Sequence, residues 1–247
     1  MIPRLFLILV FLFGCGRPLT DRETEFAQTL HGSELDTSRV YLVDGAPVAA
    51  VTFQRKPRPR LACRERILPP VKEEIVTSKP AAVTLFNRVY FARKWYLENY
   101  LPDYPERIYL IESMLLAHEL THVWQWQNRS RTGYTPWLAA AEHGRVDDPY
   151  LFDLDSSPDF LSYGYEQQGS IVEEYVCCRL LDPDAARTAR LRAMIAQEMP
   201  IDGLDHALGQ GIVRLPSYHR YPKAHSHLGG TLWQAPNPAT RSPLLAR

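Results

Sequence analysis

Residues 118–122 read His-Glu-Leu-Thr-His, an HExxH motif within an apolar stretch near the middle of the chain. Side chains four residues apart on a helix lie one above the other, so His118 and His122 can reach a single metal ion. This spacing suits a tetrahedral zinc ion. Glu119 points to one side of the histidine pair, where it can take a proton from water without binding the metal. The motif therefore predicts a Zn2+ cofactor, with Glu119 as general base.

The neighbouring residues favour metal binding over the alternative that both histidines belong to an ordinary helix. Ile111 and Leu115 recur with His118 and His122 at helical spacing, so the histidines share the apolar stripe expected to face the interior. A buried imidazole needs a partner for each ring nitrogen, and a metal ion supplies one. We therefore expect a buried metal site.

The third ligand is expected on a second helical stretch further along the chain. A metzincin would have glycine and histidine after His122 where this chain has Gln125 and Asn128, so that class is excluded. Glu166 precedes Gly169 by three residues. Glycine within a helix costs about 1 kcal/mol relative to alanine, and close approach to the HExxH helix would account for its presence. Glu166 is therefore the predicted third ligand.

Other side chains could support the chemistry of such a site. Glu173 returns to nearly the same helix face as Glu166, where it could orient a ligand histidine; alternatively, it is a solvent-facing acid. A second electrophile commonly assists the oxyanion in zinc-dependent hydrolysis, and Tyr163, Tyr175 or a C-terminal histidine could serve. The sequence leaves these alternatives open.

The two motifs together resemble those of the gluzincin group of zinc metallopeptidases, which pair HExxH with a glutamate in a later E-x-x-small helix. More closely, residues 81–181 resemble the compact peptidase-like domains of bacterial secreted and polymorphic-toxin proteins. Those domains carry a short strand pair, here residues 83–91, then Leu-Leu-Ala-His-Glu-Leu-Thr-His, then Glu-Gln-Gln and a small residue. That small residue is usually alanine, and here it is Gly169. The resemblance implies a zincin-like α+β fold, in which the active-site helix and the glutamate helix pack with a small β-sheet.

The same resemblance implies zinc held by His118, His122 and Glu166, and hydrolysis of a peptide or protein substrate. We therefore expect a membrane-anchored zinc-dependent peptidase with Glu119 as general base. The alternative is a non-catalytic envelope lipoprotein with a structural zinc site and a protein-binding surface. The presence of Glu119 favours the peptidase, because a structural site needs no general base.

The start of the chain reads as a bacterial lipoprotein signal peptide, residues 1–14. An arginine precedes an apolar run, residues 5–13, that is too short to span a bilayer permanently. Residues 12–15, Leu-Phe-Gly-Cys, resemble a lipoprotein processing site, which implies cleavage before Cys15 and acylation of its thiol. Ordinary signal-peptide cleavage is the alternative. Glycine rather than aspartate after Cys15 favours, by analogy, an outer-membrane lipoprotein facing the periplasm.

The charge balance argues against a nucleic-acid partner. The chain has 28 basic and 28 acidic residues and a formal net charge of zero, so it has no overall basic field for a phosphate backbone. The basic segment 55–60 is short and broken by prolines, and we interpret it as a solvated loop.

Export to an oxidising compartment would permit one disulfide among the remaining cysteines, Cys63, Cys177 and Cys178. Cys63 could pair with either of the other two, or all three could be buried free thiols. A zinc site formed by these cysteines is not expected, because they lack paired C-x-x-C spacing.

The sequence divides into segments that position these motifs. Residues 15–80 contain the anchor, a helix that begins at a capping box with Thr20 and Glu23, and a strand pair. Residues 81–200 form the zincin-like domain, with an active-site helix from about residue 106 to 128. Residues 201–247 lack sustained periodicity and are expected to be an irregular tail rich in histidine and proline.

Overall fold

The computed structural model describes residues 16–47, 50–54, 62–67, 75–146 and 148–214. The predicted signal peptide with Cys15, the basic segment 55–60 and residues 215–247 lie outside these ranges. No helix of the described ranges combines the length and the apolar character needed to cross a membrane.

The fold is α+β, which confirms the predicted class. The helices of the described residues are α1 (Asp21–His31), α2 (Cys63–Ile67), α3 (Leu110–Gln127), α4 (Arg129–Thr132), α5 (Pro136–Glu142), α6 (Tyr165–Leu181), α7 (Ala186–Ile195) and α8 (Asp202–Gln210). The strands are β1 (Arg17–Pro18), β2 (Tyr41–Asp44), β3 (Val51–Gln54), β4 (Ile75–Ser78), β5 (Ala82–Leu85), β6 (Arg88–Phe91), β7 (Arg107–Tyr109) and β8 (Ile212–Arg214).

The main sheet has the strand order β1-β2-β6-β5. Strands β2 and β6 are parallel, and the other two neighbouring pairs are antiparallel. The strand pair predicted within residues 83–91 is the β5–β6 hairpin, and Phe86 in its turn has a φ of 59°. Because β2 precedes residue 81 and β6 follows it, this sheet joins the N-terminal part of the chain to the part that carries the HExxH motif.

Helix α3, which carries the HExxH motif, lies between the sheet, α1 and α6. Leu116, Leu120 and Val123 of α3 are completely buried, as are Ile171 and Val172 of α6. A helix that packs against neighbours on several sides is apolar around most of its circumference, not along one stripe. The pair α3–α6 is therefore the centre of the core, and the site is built on it.

The predicted start of the active-site helix is wrong by about one turn. Helix α3 begins at Leu110, because Arg107–Tyr109 instead form β7 and pair in parallel with β8. Proline at position 105 is compatible with a helix start. Pairing with β8 satisfies the backbone hydrogen-bonding groups of β7. Because β8 is distant along the chain, the residues around β7 do not by themselves predict this pairing.

Residues 202–214, expected to be irregular, form α8 and β8. Helix α8 packs against α1 and α6 and buries Leu204 and Leu208. The spacing of these two leucines is helical, but Gly203 and Gly209 in the same stretch lower its helix propensity. Burial against α1 and α6 stabilises a helix that the local sequence does not favour.

The disulfide forms between Cys63 and Cys177, across a sequence separation of 114 residues, and Cys178 is a buried free thiol. This decides between the alternatives that the sequence left open. The bond attaches the five-residue helix α2 to the C-terminal part of α6.

A buried histidine at the end of α1 predicts that the protein loses stability in acid. His31 is completely buried, stacks on Trp124 with ring centroids 6.3 Å apart, and has no hydrogen-bond partner for either ring nitrogen within the described residues. Burial lowers the pKa of His31 from 6.5 to about 3. The unfolded chain therefore binds a proton between these pH values while the folded protein does not. The free energy of unfolding should fall by up to about 1.4 kcal/mol per pH unit as pH drops below 6.5.

The measurement is denaturant unfolding at pH 7.0, 5.5 and 4.5 of the wild type and of His31→Phe, which keeps a ring against Trp124. The variant should lose less stability on acidification than the wild type. Equal pH dependence in the two proteins would contradict this account of His31.

Candidate metal centre

Three donor atoms from two helices converge at the predicted site. His118 Nε2 and His122 Nε2, four residues apart on α3, lie 3.1 Å from each other. Glu166 Oε2, from the first turn of α6, lies 3.3 Å from each of these nitrogens. All three residues are buried, and their ligand atoms lie within 4.8 Å of one another. The structure thus brings together the three residues predicted as ligands, in a group that could hold a metal ion.

The absence of a side chain at Gly169 permits this convergence. A Cβ atom at position 169 would lie 2.8 Å from Cε1 and 2.9 Å from Nε2 of His118, closer than real Cβ atoms come to their neighbours. The backbone of α6 therefore lies directly against the first histidine. This is the close approach that the sequence predicted for a helical glycine.

The donor set fits a metal ion. Two imidazole nitrogens and one carboxylate oxygen make up the protein ligands of a known class of catalytic zinc site. Burial alone would raise the pKa of Glu166, but the neighbouring charges and hydrogen bonds of His122 and His118 hold it well below its usual range. Burial would lower the pKa of His118, yet the neighbouring carboxylates of Glu166, Glu173 and Glu119 raise it to about 10. The carboxylates therefore make this a place where positive charge is favoured.

Glu119 lies beside the ligand group but is not part of it. Its Oε2 accepts a hydrogen bond of 2.7 Å from Thr84 Oγ1 on β5, and the residue is 5% exposed. Burial raises the pKa of Glu119, against the opposing charges of His118 and His122. Thr84 thus fixes a carboxylate of raised basicity next to the three donor atoms.

Both histidines of the donor group have a polar partner at Nδ1. His122 Nδ1 lies 2.8 Å from Gln125 Oε1, and the Gln125 amide in turn donates to Gln168 Oε1 at 2.9 Å. His118 Nδ1 lies 3.3 Å from Glu173 Oε2, an ion-pair distance. Glu173 is therefore placed against the first histidine of the motif, and the alternative of a solvent-facing acid is excluded because this side chain is buried.

Glu142 positions Glu166 through the backbone. Its carboxylate oxygens accept hydrogen bonds from the N–H groups of Tyr165 and Glu166, at 2.8 and 3.1 Å. These are the first residues of α6, whose N–H groups have no partner within the helix and whose N-terminus favours negative charge. Glu142 at the end of α5 therefore fixes the turn from which Glu166 reaches the histidines.

The hydroxyl groups nominated from the sequence are engaged elsewhere. The Tyr175 hydroxyl donates to the carboxylate of Asp205, and that of Tyr163 donates to backbone carbonyls. The C-terminal histidines beyond residue 214 lie outside the described residues. Neither tyrosine is therefore available for the role of electrophile.

Tyr150 is the phenol that the structure places at the site. Its ring centroid lies 6.0 Å from that of His118, and its hydroxyl oxygen lies 3.0 Å from Nε2 of His143. Nε2 of His143 is 4.0 Å from Oε1 of Glu166. Burial, and then the charges of Glu166 and Glu119, raise the pKa of Tyr150 well above its usual range, so the hydroxyl keeps its proton.

Sequence reasoning missed several of these supporting residues. Gln125 could have been found, because it lies one helical turn after His122 and so on the same face. Thr84, Glu142 and Tyr150 come from β5, α5 and a loop, and only the tertiary fold brings them to the site.

Comparison with known proteins does not identify the function of this chain. No protein-family model matches the chain, and no curated protein matches it. Among solved structures, the effector domain of Pseudomonas aeruginosa VgrG2b is 24% identical; the alignment covers 76% of this chain and 88% of that chain, with a TM-score of 0.47. A likeness at this level of identity and TM-score carries no functional conclusion.

The contact at Gly169 predicts a specific loss of metal binding. Gly169→Ala places a methyl group against the His118 ring, which must then move away from the other donors. We expect the affinity for zinc, used as the probe metal, to fall about tenfold or more. The matched control is Gly203→Ala in α8, where a Cβ atom would make ordinary contacts of 3.6 Å with Thr29.

Zinc affinity would be measured by competition with a chromophoric chelator. Gly203→Ala should leave the affinity unchanged and raise the melting temperature slightly, because alanine favours the helix. Unchanged zinc affinity in Gly169→Ala would contradict the account that the close contact at Gly169 sets the position of the His118 ring.

Proposed function

We propose that this protein is a zinc-dependent peptidase in which Glu119 is the general base. The observation that carries the proposal is the convergence of the His118, His122 and Glu166 donor atoms beside a separate buried carboxylate. A structural zinc site uses four protein ligands and needs no base, whereas a catalytic site keeps one position free. Only three ligand residues belong to the group that the described residues form.

Zinc is the metal that this donor set favours, because imidazole and carboxylate ligands in a tetrahedral arrangement suit its size and coordination. A bound zinc ion would activate water at neutral pH and polarise a peptide carbonyl. Glu119, held by Thr84, accepts the proton from the attacking water and returns it to the leaving amine.

Strand β5 provides a way to bind an extended peptide beside this machinery. It lies at the edge of the main sheet, and β6 is its one partner among the described strands. An extended chain can add to such an edge through backbone hydrogen bonds. Because Thr84 of β5 contacts Glu119, a peptide on this edge would pass next to the general base. We therefore propose peptides or proteins as substrates.

The first test of this function is Glu119→Gln in the full-length protein. The variant keeps the size of the side chain and its hydrogen bond to Thr84 but loses basicity, so zinc content should match that of the wild type. Cleavage of a mixed peptide library should fall by about 10² to 10⁴-fold, with little change in substrate binding. Glu112→Gln, the same change of a buried glutamate on α3, is the control and should cleave normally.

A second arm repeats the cleavage assay of the wild type with a zinc chelator and after adding zinc back. The peptidase proposal fails if the wild type cleaves nothing, across a broad substrate set, that chelation or Glu119→Gln abolishes. That result would favour the non-catalytic lipoprotein with a structural zinc site.

Tyr150 is proposed as the electrophile that stabilises the oxyanion. Its ring lies beside His118, and the contact with His143 Nε2 holds its hydroxyl near the donor group. Tyr150→Phe should lower kcat about 10²-fold with KM little changed, because the lost hydrogen bond forms in the transition state. Tyr109→Phe, whose hydroxyl donates to Asp103, is the matched control. If both phenylalanine variants keep wild-type kcat, the role belongs to another group.

We further propose that the protein is an outer-membrane lipoprotein facing the periplasm, anchored through lipid on Cys15. The support is the sequence pattern of residues 1–15, a short apolar run ended by Leu-Phe-Gly-Cys. In membrane fractionation of cells that express Cys15→Ala, the variant should leave the membrane fraction. Membrane association equal to that of the wild type would contradict lipidation at Cys15.

A further inference from the structure

The disulfide joins α2 to the part of α6 that carries Glu173, the residue that lies against His118. Cys63 is the first residue of α2, and Cys177 on α6 is one helical turn beyond Glu173. The backbone N–H of Cys63 also donates to both carboxylate oxygens of Glu174, each at 2.8 Å. Glu174 is itself buried and is held by Arg187 Nε at 2.8 Å. Helix α2 is thus fixed on α6 by a covalent bond and by a buried carboxylate.

Arg64, the next residue of α2, connects this attachment to the site. Its Nη1 lies 3.4 Å from Glu173 Oε1, and the other oxygen of the same carboxylate lies 3.3 Å from His118 Nδ1. A continuous series of contacts therefore runs from the disulfide through Arg64 and Glu173 to the first predicted ligand. The carboxylate lies at ion-pair distance from Nδ1, and Nε2 on the other side of the ring faces the other donors.

The Arg64–Glu173 pair depends on the disulfide for its geometry. The Arg64 side chain is 40% exposed, and an ion pair with an exposed partner contributes little by itself. A helix as short as α2 is also unstable without tertiary attachment. The covalent bond at Cys63 keeps Arg64 near Glu173 at little further cost in conformational entropy.

We infer that the Cys63–Cys177 disulfide and Arg64 are positioning elements of the metal centre, so that the oxidised protein binds its metal more tightly than the reduced protein does. This inference rests on the proposed metal site but does not depend on peptidase activity. Reduction supplies two electrons and two protons and converts the disulfide into two thiols. Arg64 then loses its fixed place, and Glu173 no longer holds His118 in one orientation. In a cell, the site would reach full affinity only in an oxidising compartment.

The test measures zinc affinity of the full-length protein in detergent before and after reduction. A water-soluble phosphine is the reductant, because added thiols would bind zinc; the phosphine takes the oxygen of water and becomes its oxide. Affinity is read by competition with a chromophoric chelator, and circular dichroism follows the fold. We expect reduction to weaken zinc binding of the wild type about tenfold. The double variant Cys63→Ser, Cys177→Ser should show the weakened affinity in either condition, which separates the effect from zinc binding by the new thiols.

Variants of Arg64 test whether the disulfide affects zinc binding through this residue. Arg64→Gln changes the charge near the site, and this change alone can alter the zinc affinity of the variant. The quantity compared is therefore the ratio of the zinc affinity of the oxidised protein to that of the reduced protein. In Arg64→Gln this ratio should approach one, because the connection to Glu173 is already broken. Arg64→Lys should keep part of the ratio. Arg22→Gln, which removes an exposed ion pair with Glu25 on α1, should keep all of it.

Two results would overturn the inference: an affinity of the wild type that does not change on reduction, or an equal ratio in Arg64→Gln and the wild type. General unfolding on reduction would give the second result, because it would weaken zinc binding by the wild type and by Arg64→Gln to the same extent. Because no peptide enters this experiment, a failed cleavage assay would reject the proposed peptidase and leave the inference standing.

Discussion

The contact between α3 and α6 at Gly169 is the constraint on which the rest of the structure depends. A glutamate on one helix can reach two histidines on another only if the helix backbones come close, and a Cβ atom at Gly169 would lie 2.8 Å from the His118 ring. The core follows from this contact, because both helices are buried along most of their length. The main sheet, α1, α7 and α8 then cover the faces of the pair that do not touch each other.

The same contact concentrates charge in the interior. Glu119, Glu166 and Glu173 are all buried around the imidazoles of His118 and His122. Burying unpaired carboxylates is costly, and such groups are kept when they are paired or when they bind a cation. Hydrogen bonds and ion pairs from β5, α2 and α5 stabilise these buried groups. Each of these elements contacts one carboxylate or one helix terminus. Supports from these three elements hold the site in place without adding ligands.

The sequence predicted the parts of this structure that depend on the spacing of residues within one helix or one hairpin. The histidine pair, Glu166 and the reason for Gly169 all followed from helical periodicity and from the cost of glycine in a helix. The β5–β6 hairpin and the α+β class were also predictable. The start of α3 and the regular structure of residues 202–214 were not, because β7 and β8 lie far apart in the sequence and pair only in the folded chain. The helix or strand propensity of a short segment carries no information about a strand partner that is distant in the sequence. For the same reason Thr84 and Tyr150 stayed unrecognised until the fold brought them to the site.

The central claim is that His118, His122 and Glu166 bind one zinc ion and leave one position to solvent. X-ray absorption at the zinc edge, on protein purified without added metal or chelator, tests it most directly. The account predicts about one zinc per chain, with nitrogen and oxygen neighbours at about 2.0–2.2 Å, including imidazole scattering from two rings, and no sulfur neighbour at about 2.3 Å. Protein without stoichiometric zinc, or a coordination shell that contains sulfur, would contradict it.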